Sequence, residues 1–163
     1  MSLARRIAFG SNPRRTAVRI LVLAALSVVV FGWVLLPVRT DGISMQPAYQ
    51  SGRLNLVNRL AYWRRGPARG DVVAIRLAGP HVVYVKRIVA LPGERLRIDD
   101  GQVYIDGRPL PEPYVQSRAA WNVPEVSLAS GEYYVIGDNR GMRASDHDFG
   151  RVSAARILGS LLF

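Results

Sequence analysis

Two rhythms of hydrophobic and polar positions divide this chain. From Ile20 to Val38 it reads ILVLAALSVVVFGWVLLPV, 19 residues without a charge, bounded by Arg19 and Arg39. As a helix rising 1.5 Å per residue this run would be roughly 28 Å long, close to the ~30 Å hydrocarbon core of a bilayer. Apolar character on every side over five turns argues against a core helix, which needs only one apolar stripe. A cleavable leader would have a shorter apolar region and a small-residue cleavage site, so the expectation is an uncleaved anchor. Past residue 40 no helical period recurs, and short stretches of alternating or β-branched residues take over.

These stretches predict strands at 53–60 (RLNLVNRL), 70–77 (GDVVAIRL), 81–90 (HVVYVKRIVA), ERLRI, QVYI, EYYVIGDNR at 132–140 and the closing RILGSLLF. Ala78-Gly79-Pro80 joins the second and third as a hairpin, and Asp99-Asp100-Gly101 and Asp106-Gly107 read as tight turns. Residues 109–124 hold Pro109, Pro111, Pro113 and Pro124 and are expected to be irregular, as is the loop TDGISMQPAYQSG at 40–52. The expected fold is an all-β domain of antiparallel sheets or a partly closed barrel behind one transmembrane helix. The expected parts are a basic tail at 1–19, an anchor at 20–38 and a domain at 40–163.

Charge gives the anchor a direction. The first 39 residues carry six arginines and no acid, and all 12 acids lie from Asp41 onward. Arg5, Arg6, Arg14, Arg15 and Arg19 precede the apolar run while Arg39 alone follows it closely, so the positive-inside rule puts the N-terminus in the cytoplasm and residues 40–163 across the membrane. More than half of the net charge of +10 thus belongs to the tail, and a nucleic-acid partner is not expected. Trp33 near the exit suits the interfacial belt, and Tyr62 and Trp63 among arginines could rim the core or touch headgroups. There is no cysteine, which excludes thiolate nucleophiles, thiolate metal sites and disulfides, and His81 and His147 are too few for a histidine-rich metal site. No cofactor or metal is expected.

One residue breaks the compositional rule. Arginine occurs 21 times and lysine once, as Lys86. A lysine amine can lose its proton when desolvated, whereas arginine stays protonated. A codon bias could explain the arginines and leave one lysine on a solvated face. In a regular strand, however, Val82, Tyr84, Lys86 and Ile88 share a face opposite His81, Val83, Val85 and Arg87, so Lys86 projects among apolar neighbours. With cysteine absent, a serine on a loop with a neutral lysine as base is the combination able to do covalent chemistry, and Ser44 lies six residues past Val38. Lowering a lysine from about 10.4 to near 7–8 requires roughly 3–5 kcal/mol of desolvation, within what burial supplies.

Gly42-Ile43-Ser44-Met45-Gln46-Pro47, Gly70-Asp71-Val72-Val73, Tyr84-Val85-Lys86-Arg87 with Leu91-Pro92-Gly93-Glu94, and Gly137-Asp138-Asn139-Arg140 closely resemble, in order, the four signature segments of type I signal peptidases. These are serine–lysine proteases that remove signal peptides from exported proteins. The resemblance implies Ser44 as nucleophile, Lys86 as general base, and Met45, Tyr84 and Val85 along a cleft that takes the substrate as an added strand. Gly42 matches the branch lacking a side-chain hydroxyl at that position, and Asp138 and Arg140 would support the site. The family usually places a serine three residues after the arginine and then an Asp-Ser-Arg-type triplet. Here those positions hold Arg143 and Ser145-Asp146-His147. Ser145 could take the missing serine's supporting role by a local shift, while His147 and Asp148 are expected to be structural or solvated. The implied partners are preproteins bearing signal peptides and the lipid bilayer, and the implied location is the bacterial cytoplasmic membrane. A peptidase specialised for conjugative pilins, a mitochondrial relative and an inactive membrane-anchored β scaffold remain as alternatives, and substrates and oligomeric state stay open.

Overall fold

The computed structural model describes residues 12–78 and 82–162. Arg5 and Arg6, His81, the Gly79-Pro80 turn and Phe163 lie outside the described residues. Helix α1 spans Pro13–Val29. Asn12 caps it, its side-chain oxygen accepting from the Arg14 and Arg15 amides, and proline takes the first helical position, where no amide bond is lost. A π-helical segment at Val30–Val34 continues it. The 22 residues Pro13–Val34 have a mean hydropathy of 2.4, and by length and composition they can cross a membrane. Their apolar side chains are exposed all round, Leu21, Val28 and Trp33 among them.

The helix stops earlier than the apolar run does. Leu35–Arg39 form strand β1 at the edge of a sheet, although the run through Val38 reads as one helix. Composition cannot separate the two states here, because Leu and Val suit both; strand pairing to β2 decides.

Eleven strands make two antiparallel sheets. The larger runs in the order β1 (Leu35–Arg39), β2 (Leu54–Asn58), β11 (Ile157–Leu161), β3 (Val72–Ala78), β4 (Val82–Ala90), β9 (Glu132–Ile136) and β10 (Gly150–Ser153). The smaller runs β7 (Arg108–Pro109), β6 (Gln102–Ile105), β5 (Arg95–Asp99) and β8 (Val123–Ser127). Asp100 and Gly101, and likewise Asp106 and Gly107, have positive φ at both central positions, the backbone that lets a two-residue turn follow the twist of its strands. Strand β8 falls inside the proline-rich stretch expected to be irregular. Proline is tolerated there because β8 is an edge strand and its pairing with β5 shifts register between Leu96 and Ile98, beside Pro124.

Alternation along β9 assigns the core. Tyr134 and Ile136 join Val89, Leu96, Ile98, Val103 and Trp121 in one cluster, bringing residues of both sheets together. Tyr133 and Val135 point the other way, to Val73, Ile75, Ile88 and Val152. The central strand β4 is therefore covered on both faces, and Lys86, two residues before Ile88, extends the second cluster.

Candidate active site

Ser44 and Lys86 meet. Lys86 Nζ lies 3.0 Å from Ser44 Oγ, a distance at which the ammonium donates to the hydroxyl and the neutral amine accepts from it. The lysine is 3% exposed. On β3, fully buried Val73 stands directly opposite it. Burial lowers the lysine to about 8, against a smaller opposing attraction from Asp148.

The serine is carried by a loop that several bonds hold still. Gly42, at φ +98°, turns the chain out of β1, and its amide donates to Ser51 Oγ. Thr40 Oγ1 donates to the Gln50 carbonyl and accepts from Asn55 Nδ2, tying the base of the loop to β2. From the other side, the Asn139 amide donates to the Ser44 carbonyl at 3.0 Å and Asn139 Nδ2 donates to the Ile43 carbonyl at 3.1 Å. The Gly137–Arg140 turn is thus clamped to the serine. Gly137 cannot be another residue there without movement, since an added Cβ would lie 2.2 Å from the Ser44 carbonyl oxygen.

Two buried ion pairs fix that turn. Asp138, 1% exposed, accepts from Arg87 Nε at 2.7 Å and Nη2 at 2.5 Å, and the same guanidinium donates to the Gly70 carbonyl and lies 4.1 Å over the Tyr114 ring. Arg140, also 1% exposed, donates to the Gly137 carbonyl and forks onto both carboxylate oxygens of Glu112. The sequence pointed to Asp138 and Arg140 but not to Glu112, which sits among prolines 28 residues from its partner with no periodic signal around it. Two other residues of the region are placed differently from each other: Arg143 is exposed and faces Asp146, and Ser145 is exposed with its hydroxyl donating to Asp146. Neither is brought to Lys86. His147, expected to be structural or solvated, is instead buried against Gly137, accepting from the Gly137 amide through Nε2 at 2.8 Å.

A cleft of about 330 Å³ opens beside the pair, lined by Gly42, Ser44, Met45, Tyr49, Tyr84, Val85 and Lys86 among others. Strand β9 pairs with β4 from Arg87 onward and ends at Ile136, so on that side no strand pairs with Val83–Lys86 among the described residues. That edge can accept an extended peptide, whose carbonyl would pass in front of Ser44. Among the described residues no cluster of three or more His, Asp or Glu could hold a metal ion.

The family model for signal peptidase, peptidase S26, matches residues 14–163, nearly the whole chain. The chain belongs to the signal peptidase family. Among its relatives, probable signal peptidase I-2 of Synechocystis is 32% identical over 71% of this chain and 56% of its own length. Signal peptidase I V of Bacillus subtilis is 29% identical over 85% of this chain and 90% of its own. A crystal structure of a signal peptidase I from Enterococcus faecalis superposes with a TM-score of 0.47 at 26% identity, over 59% of this chain and 97% of that one. This signal peptidase family member therefore spans little more than half the length of the first of these relatives and most of the second.

Proposed function

We propose that the protein is a membrane-anchored endopeptidase that removes signal peptides from exported preproteins, with Ser44 as nucleophile and Lys86 as general base. The observation that carries this reading is the buried lysine amine 3.0 Å from a serine hydroxyl at the unpaired edge of β4. The neutral amine takes the hydroxyl proton as Oγ bonds to the carbonyl carbon, and the resulting ammonium returns that proton to the leaving amine as the C–N bond breaks. A water deprotonated by the same amine then hydrolyses the acyl-serine ester and restores both side chains. The extended substrate pairs along Tyr84 and Val85, and Met45, 4% exposed, closes the cleft where a small side chain would enter. Gly42 leaves the oxyanion without a side-chain donor at that position, so backbone amides of the Ser44 loop serve it. Asp138 and Arg140 support the turn clamped to Ser44.

The anchor is assigned to 20–38 within the helix-and-strand segment, the tail at 1–19 to the cytoplasm of a bacterial cell and the domain at 40–163 to the exported side. Sharing a bilayer with its substrate raises the effective concentration of the cleavage site at the enzyme. The test uses the full chain in detergent with a preprotein, comparing wild type, Ser44→Ala and Lys86→Arg. Both variants are expected to lose roughly 10³-fold or more in kcat/KM. Full activity of Lys86→Arg, which keeps the charge but cannot give it up, overturns the general-base role.

A further inference from the structure

We infer that His147 is a positioning residue for the Ser44–Lys86 pair, its imidazole filling the space of an absent Gly137 side chain so that it fixes the serine loop and keeps water from the lysine. The inference rests on the dyad proposed above and adds a residue to it.

The geometry begins with sheet register. Arg87 stands opposite Ile136, so one further step sets Gly137 opposite Lys86 with the two Cβ directions on the same face. On the other flank Lys86 faces Val73, an apolar wall. The glycine supplies no wall of its own. Two groups from elsewhere in the chain occupy its place, since a Cβ on Gly137 would lie 2.2 Å from the Ser44 carbonyl oxygen and 2.5 Å from His147 Nε2. The imidazole and the serine loop therefore meet in the notch next to the lysine. Glycine makes the notch, and histidine fills it while also accepting the Gly137 amide proton at 2.8 Å.

The ring is held for that task. It packs edge-on against Trp121 with centroids 4.9 Å apart, and Phe149 stacks on the same tryptophan. Because Nε2 accepts a hydrogen bond, the proton of the neutral ring is on Nδ1, and that nitrogen is buried without a hydrogen-bond partner. An unpaired buried donor destabilises a fold, so a filler selected for stability alone would not be histidine. The neutral form is the resident one: burial first, then Lys86 and Arg140, lower the imidazole to about 3. A second cation beside Lys86 is thereby avoided. The other charges in the neighbourhood are Asp148, which draws the lysine toward its protonated form, and on the opposite face of β4 the Arg87–Asp138 pair. Arg140 is neutralised by Glu112.

Lys86 is the chain's single lysine, so labelling lysine with ¹³C at Cε gives one side-chain resonance and a direct titration in the full chain. Wild type is expected to titrate near 8. In His147→Ala, water reaches the amine and the midpoint is expected to rise by about one unit or more, which at pH 8 cuts the neutral fraction about fivefold. His147→Gln, which reaches the same notch with an acceptor oxygen, is expected to titrate like wild type. An unmoved midpoint in His147→Ala overturns the inference. Should that variant fail to fold, His147→Asn, whose shorter side chain draws back from Gly137, takes its place with the same criterion. The resonance reports on the lysine whether or not a preprotein is cut. A wild-type protein that cleaves nothing, yet shows the His147-dependent midpoint, would therefore sink the proposed activity and leave the positioning role standing.

Discussion

Replacing Gly137 with alanine tests how tightly the serine loop is tied to the turn that faces it. The new methyl would stand 2.2 Å from the Ser44 carbonyl oxygen, where contacts of about 3.4 Å are ordinary, so oxygen and methyl must part by roughly 1.2 Å. The neighbouring groups cannot simply swing away. The oxygen is backbone, held at 3.0 Å by the Asn139 amide, and the imidazole on the other side is itself only 2.5 Å from the methyl and wedged against Trp121. Ser44 Oγ must therefore move relative to Lys86 Nζ by an appreciable part of that distance. Misplacing a reacting group by 1 Å costs about 10²-fold in rate. The assay is kcat/KM for preprotein cleavage by the full chain in detergent, with thermal unfolding run alongside to confirm that the domain is folded. The expected result is a folded Gly137→Ala enzyme slower by roughly 10²-fold. A folded variant within about threefold of wild type would refute the claimed rigidity of the loop.

Other outcomes follow from the buried charges. Asp138→Asn leaves Arg87 without its carboxylate in a site where the guanidinium is 14% exposed, and a loss of about 3–5 kcal/mol is expected in denaturant unfolding. Lys86→Met should do the opposite. The lysine's folded pKa of about 8 lies below its unfolded value, so the unfolded state binds more protons between the two; the lysine's destabilisation is complete below pH 8 and fades as pH rises toward 10.5. Unfolding at pH 6.5 is therefore expected to show Lys86→Met more stable by about 3 kcal/mol, with the difference vanishing near pH 10.5. Asp148→Asn removes the attraction that favours the ammonium, and should move the lysine's titration to lower pH in the same ¹³C measurement.

The strands that position the site were legible because alternation and turn residues are local: β2, β3, β4, β5, β6, β9 and β11 fall on the stretches their patterns mark. The Ser44–Lys86 meeting was legible for a different reason, since few side chains in this composition can do covalent chemistry and one of them is unique. What escaped was decided by distant partners. Strand β1 looks like the end of an apolar helix until β2 pairs with it, and β8 hides behind Pro124 until β5 supplies its ladder. Glu112 is an ordinary loop acid in sequence and becomes a buried anchor only because Arg140 arrives beside it. His147 is read from its neighbours as solvated, yet the glycine ten residues earlier opens the notch that buries it. Arg143 and Ser145 were singled out by alignment to a pattern, and the helical turn at Ala144–Asp146 leaves both facing solvent.

The central claim is that a neutral Lys86 activates Ser44, and the pH dependence of kcat/KM on a preprotein tests it most directly. A single ascending limb with its midpoint near 8 is expected, because the lysine must shed its proton before it can take one from the serine. A midpoint near 10.5 would mean that the lysine is solvated as it works, and one near 6.5 would point to an ordinary histidine as the base; either result contradicts the account.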